Sequence, residues 1–242
     1  MSQVAVITGA GAGLGLSLAE RFISQGNKVY GLTLTKRHWS RARKRIPSPR
    51  FILTQIDVTS ETKVKRFLLQ LIRKEKRMDV LINNAGYVNQ PVKLEKDSLR
   101  ELHKNLSTNL ISVFLMCKYA LPFFKKKNQG WIINISSMAG KRAVPSLGGY
   151  SASKFGVLAL TQAMAKENLD AGFRCITVCP GGMNTEMRVT CFGEEDARRQ
   201  QSPDFVADKI MEIIGGTIEV PSGGDIVIRH SQVSAINPPP EA

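Results

Sequence analysis

Hydrophobic and polar positions alternate in blocks along this chain, and short apolar runs are followed by longer amphipathic ones. Residues 4–7 form a continuous apolar run, typical of a strand buried on both faces of a parallel sheet. The run leads into a glycine-rich turn at 8–15. A predicted helix over 16–25 and a second strand over 28–34 follow. This order of strand, glycine turn, helix and strand predicts a βαβ unit of about 30 residues.

The same alternation continues toward the C-terminus. Further strands are predicted at 51–56, 80–82, 131–135, 174–178 and 224–229, and helices at 61–76, 99–124, 150–170 and 203–214. We interpret residues 182–202 as a mobile substrate lid and residues 232–242 as a loose tail. Because no linker and no internal repeat interrupts the pattern, the sequence predicts one domain over 1–242. Its expected fold is α/β, a doubly wound and mainly parallel sheet with helices on both faces.

The chain is strongly basic, with 34 Lys and Arg against 20 Asp and Glu and a formal net charge of +14. The basic residues are densest at 36–45 and at 125–127. Such a charge favours acidic partners, substrates or nucleotides, although a basic run is most often a solvated face. Nucleic-acid binding through the first run, with Trp39 as a stacking group, is an alternative that no groove-binding motif accompanies. We therefore expect no nucleic-acid partner.

Membrane and metal signals are both weak in this sequence. No apolar run approaches the ~20 residues of a membrane span, and residues 1–3 lead straight into a strand. We therefore expect a cytoplasmic protein with no membrane partner. No metal-ligand spacing links the four cysteines, Cys117, Cys175, Cys179 and Cys191, and the three histidines are scattered. We expect no metal site.

Tyr150 and Lys154 form the first candidate for chemistry. They are four residues apart at the start of a predicted helix, so both side chains leave one face. A phenol titrates near ~10, and a positive charge beside it favours the phenolate and lowers its pKa. The pair could therefore exchange protons near neutral pH. Taken alone, a Tyr–Lys pair at this spacing is common on helices that carry no chemistry.

The glycine turn is the second candidate, because it lies between a strand and a helix. Glycines let the backbone bend sharply and approach a pyrophosphate, whose charge meets the N–H groups of the helix N-terminus. Thr8, Gly9, Gly13 and Gly15 fill the pattern T-G-x-x-x-G-x-G. This pattern differs from the general dinucleotide fingerprint by one residue between its first two key glycines.

Several further motifs follow in order along the chain. They are Asp57-Val58, Asn83-Asn84-Ala85-Gly86, Asn109, Ser137, Tyr150-x-x-x-Lys154, and Pro180-Gly181 followed by Thr185. With the glycine turn, and over residues 4–229, they resemble the short-chain dehydrogenase/reductase family of the ordinary single-domain kind. The resemblance implies a Rossmann fold and an oxidoreductase that acts on CH–OH groups with a nicotinamide dinucleotide.

The resemblance also implies a role for four residues. Tyr150 corresponds to the general acid/base that protonates a carbonyl oxygen or deprotonates an alcohol. Lys154 would lower the pKa of Tyr150 and hold the nicotinamide ribose. Ser137, rather than its neighbour Ser136, would bind the substrate oxygen as charge develops. Asn109 would hold a water in a proton relay to Lys154, although an Asn that caps a local helix kink is an equal alternative.

The cofactor residues implied by the resemblance lie in five segments. They are Gly9, Gly11, Ala12, Gly13, Leu14 and Gly15; Thr35, Lys36 and Arg37; Asp57 and Val58; Asn84, Ala85 and Gly86; and Pro180, Gly181, Met183 and Thr185, together with Tyr150 and Lys154. Asn83 is interpreted instead as a brace between neighbouring strands.

The end of the second strand bears on which dinucleotide is used. NAD-preferring sites carry a carboxylate about 20 residues past the glycines, and Leu34 stands at that position. Thr35, Lys36 and Arg37 follow, and an arginine can hold a 2′-phosphate with two hydrogen bonds. The sequence therefore favours NADP(H) over NAD(H). The glycine turn itself has Ala12 where many NADP-preferring members have a basic residue.

The substrate stays open at this stage. Apolar contacts are expected from Met138, Val144, Leu147, Met187 and Val189. A carbonyl reductase or alcohol dehydrogenase for small molecules is the main interpretation, and a 3-oxoacyl-carrier-protein reductase is an alternative. A non-catalytic dinucleotide-binding sensor is disfavoured because Ser137, Tyr150 and Lys154 are all present. The resemblance also implies a homo-oligomer, dimer or tetramer, through helices 99–124 and 150–170.

Overall fold

A computed structural model describes residues 2–240, and its centre is a single sheet of eight strands. The strands are β1 Val4–Thr8, β2 Lys28–Thr33, β3 Phe51–Gln55, β4 Val80–Asn83, β5 Gly130–Ile135, β6 Phe173–Pro180, β7 Asp225–Arg229 and β8 Gln232–Asn237. Their order is β3-β2-β1-β4-β5-β6-β7-β8. In this spatial order, all neighbouring strands from β3 to β7 are parallel, and β8 is antiparallel to β7. The predicted fold class, an α/β doubly wound sheet, is confirmed.

The described part of the chain contains nine α-helices. They are α1 Gly13–Ser24, α2 Lys36–Arg45, α3 Glu61–Glu75, α4 Leu99–Leu106, α5 Ser112–Lys127, α6 Gly148–Lys166, α7 Glu186–Phe192, α8 Glu194–Arg198 and α9 Pro203–Ile214. The two faces of β1 belong to different cores, since Ala5 and Ile7 pack with α1 and α9, whereas Val4 and Val6 pack with α3 and α5. Because β1 is buried on both faces, its residues 4–7 are all apolar.

The end of the chain differs from the loose tail expected over 232–242. Gln232–Asn237 form β8, which turns back from β7 through His230 and Ser231, both at positive φ. Asn237 Nδ2 donates to Asp225 Oδ2 at 2.9 Å and ties the new strand to the start of β7. Alternating exposed and half-buried positions gave β8 little hydrophobic signal. Residues 241–242 of the expected tail lie outside the described residues.

The segment Leu99–Lys127 forms one long helix, because a π-helical turn at Ser107–Ile111 joins α4 to α5. In length and composition it is the one helix among residues 2–240 that could span a membrane. Met116, Ala120 and Phe124 are fully buried in the core. The helix thus belongs to the core of the fold, and a cytoplasmic location stays a prediction.

All four cysteines are buried, and each is a free thiol. Burial raises the pKa of Cys117 and Cys179 to about 12. It also raises the pKa of Cys175 and of Cys191 above their ordinary values. The four thiols therefore remain protonated at neutral pH.

Candidate active site

The candidate site lies where the carboxyl ends of the central parallel strands meet, the usual ligand edge of such a sheet. Thr8 at the end of β1 joins this edge to the end of β4. Its Oγ1 accepts hydrogen bonds from the backbone N–H groups of Asn84 and Ala85, each at 2.9 Å. One hydroxyl thus holds the glycine turn against the N-N-A-G segment.

The glycine turn has the backbone shape that a dinucleotide phosphate group requires. Gly9 and Gly13 have φ of +68° and +50°, in the left-handed region that favours glycine. A Cβ at Gly15 would lie 2.4 Å from the carbonyl oxygen of Gly9, so the turn closes tightly on itself. The first N–H groups of α1 have no side-chain cap, and its first turn holds no acidic residue. These donors fit a pyrophosphate.

The remaining residues predicted in this turn have different surroundings. Ala12 is the extended N-cap of α1, and Gly11 lies under His38, whose Cβ is 2.6 Å from where a Gly11 Cβ would be. The Leu14 side chain is 3% exposed and packs in the core. Only the backbone of Leu14 is therefore available to a ligand.

The structure brings Tyr150, Lys154 and Ser137 into one region, and their catalytic roles stay predictions. Tyr150 and Lys154 lie in the first two turns of α6, and Ser137 follows the end of β5. Ser137 and Tyr150 line the same cavity, and Ser137 acts to lower the pKa of the Tyr150 phenol. Ser136 also lines this cavity, but its Oγ is engaged because it donates to the Lys154 carbonyl oxygen at 2.8 Å. Of the two neighbouring serines, Ser137 is thus the one that affects the pKa of Tyr150.

The electrostatics of this group differ from the sequence expectation. Burial raises the pKa of Tyr150, while Ser137 and the charge of Arg188 lower it less strongly, so the pKa lies above its ordinary value. The Lys154 Nζ lies 5.8 Å from the Tyr150 ring centroid and donates to the Ile135 carbonyl oxygen at 3.0 Å. Burial lowers the pKa of Lys154 to about 8. The ammonium is itself destabilised, and a depressed Tyr150 pKa is not found in this structure.

A cavity of about 190 Å³ opens beside Tyr150 and Ser137. Most of its wall is apolar, with Val88, Met138, Val144, Leu147, Met183, Met187 and Phe192. Arg188 also lines it, with the guanidinium 4.0 Å from the centroid of the Phe192 ring and hydrogen-bonded to Asp196. Sequence reasoning did not single out Arg188, because a lone arginine in an irregular segment has no distinguishing pattern.

Asn109 is fully buried in the π-helical turn, and its side chain is engaged on both sides. Its Oδ1 accepts from the Tyr87 N–H at 2.7 Å, and its Nδ2 donates to the Tyr87 carbonyl at 2.8 Å and to Ser153 Oγ at 2.9 Å. A Cβ at Gly86 would lie 3.4 Å from Asn109 Oδ1 and 3.8 Å from Lys154 Nζ. Glycine at 86 thus leaves room beside the Lys154 ammonium, and the water relay stays a prediction.

The two asparagines at the end of β4, Asn83 and Asn84, have separate partners. Asn83 Nδ2 donates to Asn134 Oδ1 on β5 at 2.8 Å, which confirms its role as a brace between strands. Asn84 Nδ2 donates to the Thr8 carbonyl at 3.0 Å and so supports the glycine turn. Ala85 packs against the core that holds α3 and α5.

Asp57 and Val58 follow the end of β3, on the adenine side of the expected site. Asp57 Oδ1 accepts from the N–H of Thr59 at 2.9 Å and from its hydroxyl at 2.7 Å, forming a tight turn. Val58 is 8% exposed and belongs to the core. Asp57 itself is half-buried at the surface of the site.

The segment after β6 reaches back toward the glycine turn. Pro180 ends β6, and the Gly181 N–H donates to the Ile228 carbonyl at 2.8 Å. Met183 forms a bridge with Gln201, and Thr185 caps α7 by accepting from the Arg188 N–H. The Thr185 methyl lies 3.2 Å from where a Gly13 Cβ would be. Residues 182–202 contain α7 and α8, so much of the expected lid is helical.

Thr35, Lys36 and Arg37 lie where β2 passes into α2. Thr35 caps α2 by accepting from the His38 N–H, and Lys36 and Arg37 are exposed in its first turn. The structure adds Arg41, one helical turn after Arg37. Both guanidinium groups reach Glu186 on α7. Sequence reasoning missed Arg41 because it did not recognise residues 36–45 as a helix; the spacing of four would have indicated it.

The sequence matches the family model of the short chain dehydrogenase over residues 3–196, which is more than half of the chain. This protein belongs to the short-chain dehydrogenase family. One relative, the 2-(R)-hydroxypropyl-CoM dehydrogenase of Xanthobacter autotrophicus, is 30% identical to this chain over 243 residues. That similarity covers 94% of this chain and 97% of the relative.

Solved structures of family members resemble the short-chain dehydrogenase described above. A 3-ketoacyl-(acyl-carrier-protein) reductase from Brucella melitensis complexed with NADH has a TM-score of 0.86 at 27% identity, covering 94% of this chain and 96% of that one. ElxO with NADP bound has a TM-score of 0.86 at 26% identity, covering 94% and 97%. Because the relatives are dehydrogenases and reductases, this protein is an oxidoreductase of the CH–OH group, and a nicotinamide cofactor is supported.

Proposed function

We propose that this short-chain dehydrogenase transfers a hydride between NADP(H) and a small carbonyl compound or secondary alcohol, with Tyr150 as general acid/base. The observation that carries the proposal is that Tyr150 and Ser137 line the wall of one cavity at the ligand edge of the sheet. When bound, the nicotinamide supplies or accepts the hydride. The Tyr150 hydroxyl gives its proton to the carbonyl oxygen in reduction and receives the alcohol proton in oxidation.

The other three residues act around that proton. Ser137 Oγ donates a hydrogen bond to the substrate oxygen as negative charge develops on it. Lys154 holds the ribose hydroxyls, and its pKa of about 8 lets its amine gain or lose a proton near neutral pH. Asn109 fixes the backbone of Tyr87 beside Lys154 and holds the water of the relay.

The preference for NADP(H) is supported by charge at the end of β2. Leu34 is 62% exposed at the position where an NAD-binding carboxylate is expected. Thr35, Lys36 and Arg37 start α2 at the same point, and Arg41 extends this basic face by one turn. A guanidinium pair suits the 2′-phosphate because each planar fork can donate two hydrogen bonds.

Titration of the protein with NADPH and NADH, followed by nicotinamide fluorescence, tests the proposal. Tyr150→Phe should bind NADPH as the wild type does and lose turnover with a panel of carbonyl compounds by about 10²- to 10⁴-fold. Tyr119→Phe is the matched control, since the Tyr119 hydroxyl contacts Glu61 on the surface. Equal turnover in Tyr150→Phe and wild type would refute the acid/base role. Binding without turnover on any substrate would instead favour the sensor.

A carrier-protein thioester is a second candidate substrate. It is favoured by the net charge of +14, which suits an acidic carrier, and by the similarity to the 3-ketoacyl-(acyl-carrier-protein) reductase of Brucella melitensis. A 3-oxoacyl thioester on carrier protein, compared with the same acyl group on a small thiol, separates this candidate from the first. A preference for the carrier that falls with salt would support it.

We also propose a homo-oligomer, on the basis of apolar side chains on the long helix and α6. Ile111, Phe114 and Phe155 are each more than 40% exposed, at 45%, 47% and 43%. Exposed aromatic groups on two neighbouring helices are typical of protein interfaces. Light scattering on the wild type and on Phe114→Glu tests this, since a monomeric wild type would contradict it.

A further inference from the structure

The Glu186 cluster, formed by Arg37, His38 and Arg41 of α2 with Glu186 of α7, joins the basic helix to the substrate-side segment. Arg37 Nη2 donates to Glu186 Oε1 at 2.9 Å, and Arg41 Nη1 donates to the same oxygen. His38 Nε2 lies 3.5 Å from the other carboxylate oxygen. Burial would raise the pKa of Glu186, but the hydrogen bond and charge of Arg41 and the charge of Arg37 outweigh it and lower that pKa. One ionised carboxylate therefore engages both guanidinium groups.

Arg37 and Arg41 differ from the later arginines of α2 in where they reach. Arg43 donates to the carbonyl oxygens at 48 and 51, and Arg45 makes two hydrogen bonds to the carboxylate of Glu20. Arg37 and Arg41 are one turn apart and therefore share a face. They are the guanidinium pair of α2 that reaches across to α7.

This pair lies beside the phosphate-binding end of the site. It follows β2, whose end is where dinucleotide folds hold the adenine ribose. His38 covers Gly11 of the glycine turn, and Thr185, the residue before Glu186, reaches Gly13. The start of α7 therefore lies against the glycine turn while its first carboxylate is held by α2.

Glu186 and a ribose 2′-phosphate require the same donors. A phosphate monoester carries about 1.5 to 2 negative charges at neutral pH and accepts hydrogen bonds from arginine forks. A carboxylate accepts from the same forks, and two anions at one guanidinium pair repel each other. Building on the NADP(H) site proposed above, we propose that Glu186 is a competing counter-ion for Arg37 and Arg41. A 2′-phosphate displaces its carboxylate and detaches the start of α7 from α2.

Nucleotides with and without a 2′-phosphate should therefore affect the 182–202 segment differently. A nucleotide with a 2′-phosphate exchanges with Glu186 and loosens this segment. A nucleotide with a free 2′-hydroxyl brings no competing anion, so Glu186 stays paired. Glu186 thus lowers the affinity for 2′-phosphorylated nucleotides and links their binding to the position of α7.

Calorimetric titration with adenosine 2′,5′-bisphosphate, with AMP as the ligand that lacks the 2′-phosphate, tests the competition without any turnover. Glu186→Gln removes the charge, and Glu194→Gln is the control, since Glu194 pairs with Arg198 on the neighbouring α8. We expect Glu186→Gln to bind the bisphosphate about 1.4- to fivefold more tightly than wild type, the range that corresponds to losing an exposed ion pair. AMP should bind all three proteins alike.

Limited trypsin digestion reads out the segment itself, because Arg198 at the end of α8 and Arg199 directly after it are both exposed. The bisphosphate should speed cleavage there in the wild type more than AMP does, and Glu186→Gln should be cleaved faster without ligand. If Glu186→Gln binds the bisphosphate no more tightly than Glu194→Gln does, the proposed competition is wrong. In that case, a wild-type preference for NADPH over NADH would still support the cofactor proposal. Affinity indifferent to the 2′-phosphate in all three proteins would overturn both.

Discussion

Replacing Lys154 by methionine should stabilise the fold while removing its function. Lys154 is 4% exposed, and burial lowers its pKa from 10.5 to about 8. At about 1.36 kcal/mol per pKa unit, this shift disfavours the folded, charged form by about 3 kcal/mol at pH 7. Methionine loses the hydrogen bond to the Ile135 carbonyl, worth about 1 kcal/mol. The net gain is about 2 kcal/mol, or a rise in Tm of about 4–8 °C.

The pH dependence of this difference gives a sharper test than its size. The unfolded chain keeps the Lys154 proton up to its ordinary pKa, whereas the folded protein releases it near pH 8. The penalty is therefore complete below about pH 8 and is relieved as the pH rises toward 10.5. The stability advantage of Lys154→Met should be largest at pH 7 and shrink by pH 10.

Thermal unfolding of both proteins by circular dichroism, at pH 7 and pH 10, measures this effect. Lys166→Met is the matched control, because Lys166 is exposed in the last turn of α6 and its loss should change stability by less than about 0.5 kcal/mol. Lys154→Met should also lose turnover. A Lys154→Met protein less stable than wild type at pH 7, or an advantage that is the same at pH 10, would refute the reasoning.

Three further changes test other parts of the site. The Asp225 carboxylate is 5% exposed and lies 2.7 Å from the Lys141 amine. Lys141→Ala removes this charge partner and should destabilise the protein by about 3 kcal/mol, measured by urea unfolding. Gly15→Ala should abolish NADPH binding in a fluorescence titration, because its Cβ would lie 2.4 Å from a carbonyl oxygen of the glycine turn. Arg188→Gln should raise the pKa of Tyr150 and shift the pH–rate profile of alcohol oxidation to higher pH. An unchanged profile would show that the charge of Arg188 does not affect the pKa of Tyr150.

Local pattern predicted the fold, because apolar runs alternate with amphipathic ones along the chain, whereas the roles of the site residues came from the family resemblance and stay predictions. Apolar runs indicated the parallel strands, and the spacing of Tyr150 and Lys154 placed both on one helix face. Helix α2 was not predicted from the sequence. Ala42 is its one buried residue, so residues 36–45 show almost no helical periodicity of hydrophobic positions. The pairing of Arg41 with Glu186 joins residues 145 positions apart, which no local pattern can reveal.

The pKa values of Tyr150 and Lys154 could not be predicted from the sequence for a related reason. A helix turn indicates that Lys154 is near Tyr150, but the burial of both groups depends on strands and loops packed around them. In the structure burial outweighs the neighbouring charges for Tyr150 and lowers the pKa of Lys154. Proximity along a helix therefore predicts a contact, whereas the sign of a pKa shift requires the complete fold.

The burial of the four cysteines makes this enzyme a convenient background for site-specific labelling. Thiol reagents attack the exposed thiolate, and each native thiol is buried with a raised pKa. A cysteine introduced at the exposed position of Glu194 would therefore react with a maleimide dye well before the native ones. A fluorophore attached there would follow the 182–202 segment in solution without first removing any native cysteine.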